Sequence, residues 1–459
     1  MIHLVVAISG TSFAKRSDRA ETGHTRGIFT IMKSRRAVIA SLAGCVLFLG
    51  CDSAPPADNS AVNSDAGTIG NPKPNHLISE TSNNPPGTVD MTPPTAADAD
   101  AAKQLALIMR GMNIGNYMDQ PGKPNDSTKT QCPASGPPME GAGAGGGRLA
   151  GWMFEAIHQA GFDHVRLTIN WNCHTHVAGS NPYAIDQDWF DRIDWAIAHV
   201  LTRQMAIVID MHNFWDYFNG LSGQSEKLVS LWTQIADHYK NYPKQLYFEV
   251  LNEPPWGFSE TTWGTDLAAC IAAIRATNPN RTIIYGGTDY NKAYTLTRLT
   301  SYLPANDKNL IATEHYYSPY CFTHGQPSDC SAYYGTAYDA TKPNVQWPVM
   351  YPGDFAGDAG DAAAQKSLDT VKTDFDTIAA SGQQIGQPIY VGEFGAPQSR
   401  DMVSRAAYIA AVARASEQHG MGWANWGFVN TTFDAWNGTT GWYPPIITAL
   451  LPNYVETSN

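Results

Sequence analysis

Between Asp98 and about Val455 the sequence alternates short apolar runs with longer amphipathic segments, eight times over, and this alternation leaves few folds open. The runs lie near Ile108 to Asn113, His164 to Ile169, Met205 to Met211, Leu246 to Leu251, Thr282 to Gly286, Leu310 to His315, Pro388 to Gly392 and Met421 to Asn425. Each is long enough for a strand and too short for a helix. Helical periodicity falls between them, at Leu149 to Gln159, Gln187 to Thr202, Ser225 to Tyr239, Thr262 to Ala276, Ala363 to Ala380 and Met402 to Gln418. Such alternation is the pattern of parallel βα units, and eight units in about 360 residues predict a (β/α)8 TIM barrel. Two long insertions, Pro121 to Gly147 and Tyr316 to Asp361, come directly after strands. They belong to the loops at the C-terminal face of the strands, where such barrels place their sites.

The residues at the end of each run are polar in a consistent way. In Gln245 to Trp256 an apolar strand delivers Asn252 and Glu253 to Pro254 and Pro255, which stop both ladder and helix, so the chain must turn where the polar pair sits. Gln387 to Ala396 has the same design and ends on Glu393 among glycines. Asn113 and Asn116 close the first strand, Arg166 lies in the second, His212 stands after the third, His315 and Tyr317 at the sixth, and Trp426 after the eighth. Taken alone, a strand-end glutamate is usually a solvated or ion-paired group, and a lone histidine a satisfied core residue. Two carboxyls gathered at one barrel mouth with Arg, His, Tyr, Asn and Trp are instead the equipment for cleaving a glycosidic bond. One acid protonates the leaving oxygen, and the other carboxylate attacks the anomeric carbon.

Arg166 in Val-Arg-Leu, His212 in Asp-Met-His-Asn, Asn252-Glu253-Pro254, His315-Tyr316-Tyr317, Glu393 in Val-Gly-Glu-Phe-Gly, and Trp426 occur in an order that resembles glycoside hydrolase family 5, the cellulase family of clan A. The resemblance spans Gly111 to Trp442. It implies a retaining endo-β-1,4-glucanase in which Glu253 is the acid/base and Glu393 the nucleophile. Arg166 and Tyr317 would set the charge and orientation of Glu393, and Asn116, His212, Asn252, His315 and Trp426 would hold the sugar. It further implies a β-glucan polysaccharide or oligosaccharide as partner and no cofactor; a monomer is expected. Mannan or xylan remains open as the substrate of the same machinery, as does a sugar-binding surface protein without catalysis. The chain departs from the family pattern at Asn213, where many members carry a second histidine, at Asp119, where some have glutamate, and at Gly427, where some have an acid.

Composition supports a neutral ligand. Charged residues are 16% of the chain against about a quarter in an average soluble domain, and the formal net charge is -12. Phosphate neutralisation dominates nucleic-acid affinity, so the acidic balance argues against nucleic acid or an anionic membrane surface as partner. Residues 1–31 are unpatterned and read as an over-extended start before Met32. Lys33, Arg35 and Arg36 precede the short apolar segment Ala37 to Gly50, the form of an export signal spanning 32–51. Phe48-Leu49-Gly50-Cys51 resembles a lipobox, with Leu42-Ala43-Gly44-Cys45 as a second match and simple cleavage as the alternative. Residues 52–97 carry no aromatic side chain and read as a disordered linker, leaving 98–459 as the catalytic domain. The product is thus expected to be exported, at the bacterial cell surface or outer membrane, or in the extracellular or periplasmic space.

Of the cysteines beyond the signal, Cys132 with Cys173 and Cys321 with Cys330 are the expected disulfides, and Cys270 a buried thiol. Cys173-His174-Thr175-His176 near Asp210 invites a zinc reading, which the lack of a second ligand cluster opposes. Trp171, Trp215, Trp256, Trp347 and Trp436 stand just beyond strands, as sugar platforms or as loop packing.

Overall fold

The computed structural model describes residues 87–120, 147–324, 358–438 and 441–455, with isolated positions at 85, 131, 132, 140 and 347. All belong to the compact unit that spans 68–459. The expected export signal with Cys51 and Cys45, most of the linker, the Cys321–Cys330 pair and the greater part of both insertions lie outside the described residues.

Eight strands close into a parallel barrel: β1 (Arg110–Met118), β2 (His164–Ile169), β3 (Ala206–Asp210), β4 (Leu246–Glu249), β5 (Ile283–Gly286), β6 (Leu310–Tyr316), β7 (Ile389–Phe394) and β8 (Gly422–Asn425). Each pairs with its neighbours in sequence, and β1 closes on β8 through Arg110↔Trp423 and Met112↔Asn425. The strands are buried on both faces, which is why they read as unbroken apolar runs rather than alternating ones. Their outward residues pack against the helices Gly151–Ala160, Gln187–Leu201, Gln224–His238, Glu260–Thr277, Asp358–Ile385 and Met402–Gln418. Ser259 and Asp401 begin two of these by accepting from the backbone N–H of Thr262 and Ser404.

Inside the barrel, Ala206, Val208, Tyr247, Ile284, Ile311, Tyr390 and Ala424 form a separate apolar core, sealed at the N-terminal end by Ala101, Leu105 and Ile108. Asp100 caps the short helix Ala101–Leu105 that carries this plug. Beside this core, His164 bonds the Tyr390 hydroxyl at 2.8 Å, and only a glycine fits next to it: a Cβ on Gly111 would lie 2.1 Å from the His164 ring.

The structure differs from the sequence reading at the linker and decides points that the sequence leaves open. The linker does not run to residue 97, because its last residues already pack on the barrel, with Val89 against the core and Pro94 O accepting from Asn280. The fifth unit has no full-length helix; β5 leads into one-turn segments at Thr288–Asn291 and Ala293–Leu296. Trp171, Trp347 and Trp436 are core residues, with Trp171 donating to Asp210 O, so they offer no face to a sugar. The Cys132–Cys173 disulfide is present with Cα atoms 5.1 Å apart, and Cys270 is a buried free thiol.

Candidate active site

Arg166 is the centre of the mouth. Its side chain, wholly buried, projects from β2 into the barrel, where its five N–H groups need acceptors. Nε and Nη2 donate to the two oxygens of Glu249 at 2.7 and 2.9 Å, Nη2 also to Asn252 Oδ1 at 2.8 Å, and Nη1 to Glu393 Oε1 at 2.7 Å and Asn113 Oδ1 at 3.0 Å. Asp210 Oδ2 adds an ion pair at 2.9 Å. Burial alone would lower the guanidinium pKa; Glu249, Asp210 and Glu393 more than reverse this, so the cation is permanent. Asn113 is held in turn by donating to the carbonyls of Gly392 and Ala424, which locks β1, β7 and β8 to the same cluster.

Glu393 and Glu253 meet across this cation. Tyr317 donates its hydroxyl to Glu393 Oε2 at 3.1 Å, opposite the Arg166 contact. His315 Nδ1 lies 2.8 Å from Glu253 Oε1 and 3.6 Å from Glu393 Oε2. An oxygen of Glu253, a ring nitrogen of His315 and an oxygen of Glu393 lie within 4.8 Å of one another, so both carboxyls face one site. Burial pushes His315 down to about 4, which leaves its ring neutral. The Asn291 amide donates to Nε2 at 3.2 Å, so Nδ1 carries the ring proton and bonds Glu253. Burial also raises the Glu253 carboxyl, against the opposing charges of His212, His324, Arg166 and Lys292, although the side chain is 29% exposed toward the cleft. With Oε1 held by His315, the other oxygen is free to carry a proton outward.

His212 has the opposite character to His315. Burial would depress it, but Asp210 Oδ2 at 2.7 Å from Nδ1 and the further charges of Asp119 and Glu393 raise it to about 9, so it is an imidazolium at neutral pH. Trp426 lies parallel to it, ring centroids 6.0 Å apart, and the indole passes so close over Gly115 that a Cβ there would meet it at 2.3 Å. These two rings form one wall of the cleft.

The structure therefore brings Arg166, Asn252, Glu253, His315, Tyr317 and Glu393 into one hydrogen-bonded group, with His212 joined through Asp210 and Trp426 beside it. Asn116 stands apart from that group and ties β1 to the last loop by donating to Asn430 O at 2.8 Å. At the first departure from the family pattern, Asn213 donates to Asp119 O at 2.8 Å and so braces the loop after β1. Asp119 is buried, and its carboxyl is raised by that burial. The zinc reading fails on geometry: Cys173 is in the disulfide, His174 stacks on Trp189 at 3.5 Å, and His176 pairs with Asp186.

Sequence reasoning missed Glu249, His324, Asn291 and Lys292. Glu249 had a signal, a lone acid inside an apolar strand. His324, against the rings of Tyr317 and Phe433, had none.

Residues 126–431 match the profile described as Cellulase (glycosyl hydrolase family 5). The chain belongs to this family. Among its relatives, Endoglucanase H of Acetivibrio thermocellus is 26% identical over 337 residues, covering 73% of this chain and 31% of that protein. The chain thus spans about a third of that relative's length. The crystal structure of the endoglucanase Cel5A from Thermotoga maritima is 30% identical with a TM-score of 0.62, covering 77% of this chain and all of that one. The same protein has been solved with mannotriose, at 29% identity and a TM-score of 0.62 over the same shares.

Proposed function

We propose that this family 5 chain is a retaining, endo-acting β-1,4-glucanase. The observation that carries the reading is that Glu253 and Glu393 face one site across His315, with an oxygen of one within 4.8 Å of an oxygen of the other. Retaining glycosidases hold their two carboxyls about 5 to 5.5 Å apart, whereas inverting ones leave roughly 6.5 to 9.5 Å for a water. In the first step Glu393 attacks the anomeric carbon while Glu253 gives its proton to the leaving oxygen. In the second, Glu253 takes a proton from water, which displaces Glu393. The neutral His315 orients the acid, and Asn252, fixed by Arg166, faces the sugar 2-hydroxyl, where hydrogen bonding strengthens as positive charge develops. Proton NMR of the first product tests this: a retained β-anomer is expected, and an inverted one sinks the assignment of Glu393 as nucleophile.

A mannan substrate is the second reading, favoured by the mannotriose complex of the Thermotoga maritima relative. Initial rates on glucan, mannan and xylan separate the two, and strong activity on mannan with none on glucan reverses the order. We also propose that the enzyme is an exported monomer held at the cell surface by a lipid on Cys51, on the strength of the basic and apolar stretch from Lys33 to Gly50. Substituting Cys51 by Ser should move activity to the soluble fraction, and unchanged membrane association would reject the anchor.

A further inference from the structure

Among the described residues one group of histidine and carboxylate side chains gathers three potential metal ligands, Glu253, His315 and Glu393. His315 Nδ1 is the middle atom, 2.8 Å from Glu253 Oε1 and 3.6 Å from Glu393 Oε2. Zinc bonds imidazole nitrogen and carboxylate oxygen at about 2.0 to 2.2 Å, which sets neighbouring ligand atoms of a tetrahedron about 3.4 Å apart. The two separations bracket that value, and Glu253, partly exposed at the cleft, is the ligand with room to close the third side. Charge favours a cation too. The carboxyls of Glu249, Asp210, Glu253 and Glu393 gather around the Arg166 guanidinium and the His212 imidazolium, so positive charge is short at the mouth. One obstacle is the proton on Nδ1, which blocks the lone pair that a metal needs. Asn291, wholly buried, supplies the means to move it. Its amide nitrogen donates to His315 Nε2 at 3.2 Å, while its Oδ1 is buried with no hydrogen-bond partner. Turning the amide about its last bond exchanges these two atoms in nearly the same volume. Oδ1 then accepts from an Nε2–H, and because burial keeps the ring neutral, Nδ1 is left with a lone pair facing both carboxylates.

Resting on the catalytic roles given to Glu253 and Glu393 above, we propose that Zn²⁺ binds between Glu253, His315 and Glu393 and switches the enzyme off, the Asn291 amide selecting between the catalytic and the metal-binding tautomer of His315. The two states use the same atoms and exclude each other. In the catalytic state Nδ1–H holds the acid and Glu393 keeps a free lone pair for the anomeric carbon. In the metal-bound state the ion replaces the proton of Glu253 and engages Glu393, and water or a chloride completes its four ligands. Metal-bound histidines hold their ring in place by donating the other N–H to an oxygen acceptor, and altering that acceptor changes metal affinity by about 10- to 100-fold. Asn291 Oδ1 is that acceptor here, presented by a turn whose residues Asp289, Tyr290 and Asn291 are all left-handed.

The test titrates untagged protein with zinc chloride by calorimetry and follows initial rates on an aryl cellobioside in parallel. Wild type should bind Zn²⁺ saturably, with inhibition that is competitive with substrate and reversed by a chelator. Glu253→Gln and Glu393→Gln should each weaken binding by about tenfold or more. Asn291→Asp, whose carboxylate only accepts from Nε2–H, should bind Zn²⁺ about tenfold tighter while its metal-free turnover falls. His176→Ala removes the exposed His176–Asp186 pair, a zinc-binding surface site of the ordinary kind, and should leave inhibition unchanged. Zinc binding that survives both glutamine variants overturns the proposal, as does inhibition that is not competitive or that disappears in His176→Ala. Weaker binding by Asn291→Asp that is folded by circular dichroism overturns the role of the amide. Wild type that hydrolyses no β-glucan without metal counts against the glucanase reading alone, because calorimetry reads the zinc site without turnover.

Discussion

Replacing Arg166 with Lys keeps the charge and removes the geometry, and the structure gives the size of the effect. The guanidinium reaches Glu249 twice, and Glu393, Asn113, Asn252 and Asp210 once each. An ammonium has three donors on one atom, so at least half of these contacts are lost. Hydrogen bonds to charged groups are worth about 1.5 to 3 kcal/mol each, but their deletions are not additive, and breaking a buried pair outright costs about 3 to 5 kcal/mol. A loss of about 3 to 4 kcal/mol is therefore expected, a large share of the roughly 5 to 15 kcal/mol that holds an ordinary domain. Arg166→Met should lose more, because Glu249 and Glu393 then lose the cation they bond and only the His212 imidazolium remains beside Asp210. Activity falls for a separate reason: Glu393 loses one of its two positioning donors, and a nucleophile misplaced by about 1 Å costs on the order of 10²-fold. Urea unfolding monitored by tryptophan fluorescence, with the slope m compared among variants, measures the first effect. Initial rates on an aryl cellobioside measure the second. If Arg166→Lys unfolds within about 1 kcal/mol of wild type at unchanged m, or turns over within about threefold, then the claim that one guanidinium organises the mouth is wrong.

The same geometry sets three further outcomes. Glu253→Gln should lose polysaccharide turnover yet keep the first step on substrates whose leaving group needs no proton, seen as a burst of aryl alcohol; equal loss on both substrates would remove Glu253 as the acid. His212 titrates at about 9 in the folded protein against 6.5 as a free side chain, so its stabilisation is complete below pH 6.5 and is lost as pH rises through 9. The stability gap between wild type and His212→Asn should thus be about 3 kcal/mol near pH 6 and should close by about pH 10, and a gap constant across that range refutes the charged assignment. Replacing Cys132 and Cys173 by Ser opens a link between residues 41 apart and should lower stability by about 3 to 4 kcal/mol, read as a drop in the melting temperature.

Much of the barrel is legible in the sequence, and the reason is that strands buried on both faces must be apolar throughout. Seven of the eight runs match observed strands within a residue or two at their starts and ends; the exception, β1, continues through Ile114 to Met118, where glycine, asparagine and tyrosine break the apolar run. Strand ends are legible because prolines and glycines stop ladders, and the catalytic candidates sit at those stops. What packing decides is hidden. No local signal distinguishes Trp171, buried against Asp210 O, from the exposed Trp256, since both are tryptophans after a strand. The partnership of Arg166 with Glu249 exists only because β2 and β4 share an interior.

Backbone conformation explains how Asn252 and Glu253 come to act on one site. In an extended strand consecutive side chains point to opposite faces, so adjacent residues would not serve one cleft. Glu253 breaks the alternation by adopting a left-handed conformation, φ 46°, and its carboxyl turns to His315 while Asn252 stays bound to Arg166. A non-glycine residue in that region costs about 1 to 3 kcal/mol and persists only where its surroundings over-determine it. The other left-handed non-glycine residues are distributed in the same way. Asn116, Asn213, Asp289, Tyr290, Asn291 and Asn430 all lie at or after the C-terminal ends of barrel strands, and among the described residues only Gln204 lies elsewhere. The run from Asp289 to Asn291 aims the Asn291 amide at His315, so one strained turn positions the proton of the residue that holds the acid. Eight parallel strands with closed ladders supply the rigidity against which such turns are held, and the cost of strain falls on the loops where the chemistry is placed.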